Sequence, residues 1–182
     1  DLFHARGYDA VGVQEIVERA GVTKPTLYYY FGSKLGLLKS LLETGYQILE
    51  AGVLEASRTK AGLPEVLYQV ARVFFDFAAA HEENFTCLCC RCFIREERTR
   101  PFRLFLPFIE SYYKIIVGIF ENASSQLGNM RGRQRLFAVG FTGILNHHIM
   151  TVSYGLSEEE KFEISNETTY EIVRQFLYGI YS

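Results

Sequence analysis

No apolar run in this chain of 182 residues approaches the ~18 needed to cross a bilayer; the longest candidate, Val73 to Ala80, is broken by Asp76. The opening residues, Asp1 to Arg6, lack the basic-then-apolar order of a secretory signal. Disulfide chemistry is scarce as well. All four cysteines crowd between Cys87 and Cys92, which is no framework for a secreted scaffold, so a reducing, cytoplasmic setting is expected. Neither sign of charge dominates. With a formal net charge of -2, a nucleic-acid partner would have to be met by locally concentrated positive potential. There is no strand-like alternation, no repeat and no low-complexity tract. Paired carboxylates, a nucleophile elbow, a phosphate loop and a Ser/His/Asp arrangement are all missing, so neither catalysis nor a cofactor is expected.

What is present is helical. Apolar residues make up 48% of the chain, enough for a real core. Leu2-Phe3 running to Gly7 reads as the last turn of a longer helix, whose earlier turns are expected to precede Asp1. Two short helices follow, Val13 to Ala20 and Lys24 to Tyr30. Ser33 is placed to cap a long helix that keeps Leu35, Leu38, Leu42 and Leu49 on one face. Leu63, Leu67, Val70, Phe74 and Phe77 step by four and three, marking another amphipathic helix. Asn84 is read as the cap of a helix crossing the cysteines. Pro101 suits the first turn of the next, which is expected to reach about Leu127. Phe137, Phe141, Ile144 and His148 mark a helix over about 131–154. Ser157 and Glu160 read as a capping box, and Thr169, Val173, Phe176 and Ile180 belong to the last helix. The class is all-α.

The stretch from Gly7 to Leu38 carries the chemistry. Two short helices joined through Gly21-Val22-Thr23 form a helix-turn-helix pattern. Gly21 allows a sharp turn, Thr23 can cap the second helix, and Pro25 falls in its first turn, where no intrahelical N–H is lost. The rest of that helix offers Lys24, Thr26, Tyr28, Tyr29 and Tyr30, which can donate to phosphates and touch base edges. A single tyrosine would more often belong to the core. Three in succession cannot all face inward on a helix that turns ~100° per residue, so at least one must point outward.

In order and spacing, this stretch resembles the signature of the TetR family of transcriptional regulators. The matching residues are Gly7-Tyr8, Val13-Gln14-Glu15-Ile16, the unbroken run Ala20 to Phe31, Ser33-Lys34 and Leu37-Leu38. The resemblance implies an N-terminal helix-turn-helix DNA-binding domain over 1–45 and a larger helical effector-binding and dimerisation domain over 46–182. It places Gln14, Thr23, Lys24, Pro25, Thr26 and Tyr28 on the major groove, and Tyr29, Tyr30 and Lys34 on the phosphates. The implied protein is a homodimeric one-component repressor, released from a palindromic double-stranded DNA operator by a small-molecule effector. An architectural DNA-binding protein that senses no ligand is the alternative. Two departures stand out. Val11-Gly12 stands where the family usually has Thr-Thr or Thr-Ser, removing a hydroxyl cap, and Val17 stands where it usually has Ala.

By the same resemblance, the last two long helices would pair across a two-fold. Val139, Gly140 and Gly143 would permit close approach, and Ile172, Val173, Phe176, Leu177 and Ile180 offer an apolar face that would otherwise be ordinary core. For an effector the candidates are Phe74, Phe77, Phe105, Tyr112, Tyr113, Phe137, Phe141 and His147, although rings at helical spacing are more often core than pocket. No metal site is expected. His147 and His148 point ~100° apart on a helix, and Cys87/Cys90 and Cys89/Cys92 would lie on nearly opposite faces. The run Arg91, Arg95, Arg98, Arg100 and Arg103 reads by default as a solvated, ion-paired face.

Overall fold

The computed structural model describes residues 2–81, 100–125, 132–153 and 164–179. Among the described residues every regular element is a helix: α1 (Leu2–Arg6), α2 (Val13–Ala20), α3 (Lys24–Phe31), α4 (Lys34–Ser57), α5 (Leu63–Ala80), α6 (Arg100–Ala123), α7 (Gln134–Ser153) and α8 (Asn166–Tyr178). The helix expected across the cysteines and the capping box at Ser157 lie outside the described residues. Two compact units emerge: Asp1–Gln47 with Glu83–Phe108, and Ile48–Glu82 with Ile109–Ser182. The division falls within α4 and α6.

In the first unit, Phe3, Val11, Val17, Leu27, Leu38, Leu42 and Tyr46 form the buried core. Val17 is thus absorbed by packing. Ser33 caps α4 as expected, its Oγ accepting from the Gly36 amide at 2.9 Å.

The second unit is organised on α5, whose buried residues run from Leu63 through Val70 and Phe74 to Ala78. This helix packs against α8 and α7. Gly52 lets α4 approach it closely, since a Cβ there would meet Val73 Cγ1 at 2.7 Å. The start of α8 is fastened by a charged group. Arg72 Nη1 donates to the Ile164 carbonyl at 2.6 Å and to Thr169 Oγ1 at 3.1 Å, while Nη2 pairs with the more exposed Asp76. Hydrogen bonds to charged groups contribute about 1.5–3 kcal/mol, whereas an exposed ion pair contributes about 0–1. The two bonds reaching across to α8 are therefore the stabilising ones, and Asp76 mainly balances the charge. Ser165 caps α8, accepting from the Thr168 amide at 3.0 Å.

Candidate DNA-binding site

The turn between α2 and α3 is built as its residue types require. Gly21 adopts a left-handed conformation at φ 65°, and the amides of Gly21 and Val22 close the end of α2 onto the carbonyls of Glu18 and Val17. Thr23 then caps α3, its hydroxyl accepting from the Thr26 amide at 3.3 Å and sharing a 2.9 Å bond with the Thr26 hydroxyl. Leu27, 3% exposed, anchors α3.

Everything else on α3 faces away from the core. Lys24 and Pro25 are exposed and Thr26 is half-buried. Tyr28, Tyr29 and Tyr30 are 46, 84 and 72% exposed, so all three rings point outward where helix geometry required only one. Tyr29 and Tyr30 meet edge to face, with centroids 5.2 Å apart. Such exposure cannot be explained as packing. It presents hydroxyls, ring faces and one ammonium on a surface of the kind that meets phosphate oxygens and base edges.

Gln14 is exposed on α2, and its amide nitrogen donates to Glu18 Oε1 at 2.5 Å. Lys34 is placed differently from the other candidates. Its ammonium donates to the carbonyls of Tyr8 at 2.9 Å and Val11 at 3.0 Å, and it sits 4.1 Å from the centre of the Tyr8 ring. Burial, with Asp9 adding to it, pushes the Tyr8 phenol above its ordinary range, so the ring is neutral. Tyr8 and Val11 as partners of Lys34 were not legible beforehand, because they lie 26 and 23 residues away in sequence.

The effector candidates fall into two groups. Phe74, Phe77, Tyr112 and Phe141 are buried, Phe74 meeting Tyr112 edge to face at 5.7 Å. Phe137 and Phe141 join Phe120 and Phe176 in a four-ring cluster with centroids 5.2 to 6.4 Å apart. Tyr113 donates its hydroxyl to the Arg135 carbonyl at 3.0 Å, and His147 is exposed. The Phe105 side chain lies outside the described set, as do all four cysteines. Among the described residues, no group of side chains is placed to hold a metal ion. A groove of about 180 Å³ opens between α5 (Pro64, Glu65, Tyr68) and α8 (Tyr170, Val173, Arg174, Leu177, Tyr178). None of the candidates lines it.

A helix-turn-helix with an exposed tyrosine-rich second helix, followed by a helical unit, defines the class of DNA-binding transcriptional regulators. Residues 1–41 match the family model described as bacterial regulatory proteins, tetR family. Over 184 residues, covering 98% of this chain and 77% of the relative, the sequence is 28% identical to the transcriptional activator FasR of Mycolicibacterium smegmatis. The fold matches that of the regulator FadR from Bacillus subtilis, solved with stearoyl-CoA, at a TM-score of 0.80 and 21% identity, covering 98% of this chain and 94% of that one. It also matches AibR, solved with isovaleryl coenzyme A and operator DNA, at a TM-score of 0.72 and 19% identity, covering 98 and 92%. Residues 1–41 thus match the DNA-binding part of that family, and the chain as a whole is similar in sequence and fold to transcriptional regulators. No described helix is long and apolar enough to cross a membrane.

Proposed function

We propose that this regulator binds a palindromic operator as a homodimer and leaves it when an acyl-CoA thioester occupies the second unit. Gln14, Thr23, Lys24, Pro25, Thr26 and Tyr28 would read the major groove, with Tyr29 and Tyr30 on the phosphates. The observation that carries this is the outward run Tyr28-Tyr29-Tyr30 beside Lys24, on a helix anchored by the buried Leu27. Tyr28→Ala or Lys24→Ala should weaken specific binding by about 1–3 kcal/mol. Footprints unchanged in both variants would sink the residue assignment.

Homodimer pairing is supported by α7. Leu136 and Val139 are 68 and 56% exposed, and Gly143 continues the same face. A Cβ on Gly143 would meet nothing within 4 Å, whereas one on Gly140 would reach the Phe176 ring of α8 at 3.7 Å, so the room for a partner helix lies along Leu136, Val139 and Gly143. Leu136 was absent from the residues singled out in the sequence, although its spacing of three and four to Val139 and Gly140 signals it. The α8 residues Ile172 and Val173 are buried within their own chain and Phe176 belongs to the ring cluster, so α8 lends that face mainly to the core.

The effector class rests on two proteins of the same fold solved with CoA thioesters, FadR and AibR. The chemistry of this sequence suits that class. Its abundant rings match an acyl tail, and five arginines between Arg91 and Arg103 match the phosphates of CoA. Micromolar acyl-CoA of some chain length should weaken operator binding at least about tenfold, with free fatty acid and CoA as controls; a shift of that size corresponds to about 1.4 kcal/mol of coupling. Operator binding that no acyl-CoA alters would remove this effector class and favour the architectural role. The activator FasR, aligned along nearly the whole chain, supports a second reading in which the bound protein assists transcription. A footprint upstream of the promoter elements, instead of across them, would select it.

A further inference from the structure

We infer that Lys34 is a positioning residue that sets the entry of α2, and with it the attitude of Gln14, instead of serving as a phosphate ligand. The start of α2 is underdetermined locally. Its N-cap, Gly12, is extended and supplies no side-chain hydrogen bond, and Val11 before it has no hydroxyl to offer. Short helices held only by their own backbone fray at such ends. Something must therefore fix the segment from Tyr8 to Gly12 from outside.

Two cations do so. Arg6 donates to the Ala10 carbonyl at 3.1 Å and pairs with Glu15 at 2.5 Å, but both side chains are substantially exposed and water competes for them. The Lys34 bonds are part-buried. Its ammonium bridges the carbonyls of Tyr8 and Val11, the residues that begin and end the segment between Gly7 and Gly12, and rests on the Tyr8 ring. That ring in turn meets the buried Phe3 at 5.5 Å. Val11 itself is fully buried. A compact point charge suits this place, because one ammonium can satisfy two carbonyls and a ring face at once. Two of the three Lys34 N–H donors are thereby taken inside the protein. The effect is to hold the chain three residues ahead of Gln14 by a long-range bond where a local cap is missing.

The inference rests on α2 and α3 being the DNA-contacting helices, which operator binding by the unaltered protein tests separately. The experiment compares full-length Lys34→Met with the unaltered protein on operator and on random DNA across a salt series. A positioning role predicts a loss of about 10–100-fold on operator, little change on random DNA, and an unchanged salt slope. Loss on both DNAs with a slope smaller by about one per chain would show a direct phosphate contact and overturn the inference. Full affinity on operator would overturn it too. Should Lys34→Met fail to fold, amine labelling of the unaltered protein decides. Lys34 should label more slowly than Lys24 in the absence of DNA, whereas protection of Lys34 that appears only on DNA binding would reject the role.

Discussion

Val139→Arg is expected to yield a folded monomer that binds a two-half-site operator about 10²–10⁴-fold more weakly, the factor normally gained by engaging two linked sites at once. Val139 is more than half exposed on α7, so the substitution removes little of the chain's own core and the melting temperature should change little. In a two-fold pair, however, two like charges would be brought together in a contact that excludes water, which costs several kcal/mol. Sedimentation and operator titration should therefore move together. A variant that remains dimeric at micromolar concentration would reject α7 as the pairing surface. A charge at Phe176 would be a poor substitute for this test. That ring lies 5.2 Å from Phe141 and 6.0 Å from Phe120, so the chain would lose core packing before any dimer contact was examined.

Phe141→Ala is expected to destabilise the protein by about 3–5 kcal/mol in denaturant titration, the usual cost of a phenyl-to-methyl truncation in a closed core. Phe141 is completely buried and meets Phe120 and Phe176, whose centroids lie 6.4 and 5.2 Å away. Against a total stability of about 5–15 kcal/mol, that loss is a large fraction. The magnitude separates two roles for the ring. A wall of an open ligand site would lose contacts on one side only, and its truncation should cost about 1 kcal/mol while abolishing the effector response. A stable Phe141→Ala protein deaf to every effector would therefore return this ring to the pocket.

The part of the molecule legible in its sequence is the part governed by near neighbours. Val13–Ala20 has the bounds expected of it, and α3 ends one residue later than its pattern suggested. The capping roles of Thr23 and Ser33 involve partners only three residues away. The left-handed Gly21 follows from backbone sterics, and a turn of ~100° per residue required at least one of the three tyrosines to face outward. Short-range geometry of this kind is imposed by covalent structure, and it sufficed for the fold class and the helix-turn-helix.

Tertiary structure alone decided which way ambiguous faces turn. An apolar stripe at helical spacing is the same pattern whether it packs within a chain or awaits a partner. Ile172 and Val173 proved to be core, while Leu136 and Val139 stand open to solvent. The candidate effector rings divided in the same way, Phe74 and Phe141 lying in closed packing and His147 outside. Lys34 makes the same point for a charge. A lysine beside a recognition helix can meet a phosphate or a carbonyl equally well, and nothing within its own turn distinguishes them. The partners it meets in the folded chain, Tyr8 and Val11, are brought to it from 26 and 23 residues away. Sequence carries the chemistry each group can perform and the helix that displays it; which partner the group meets depends on distant residues that only folding brings near.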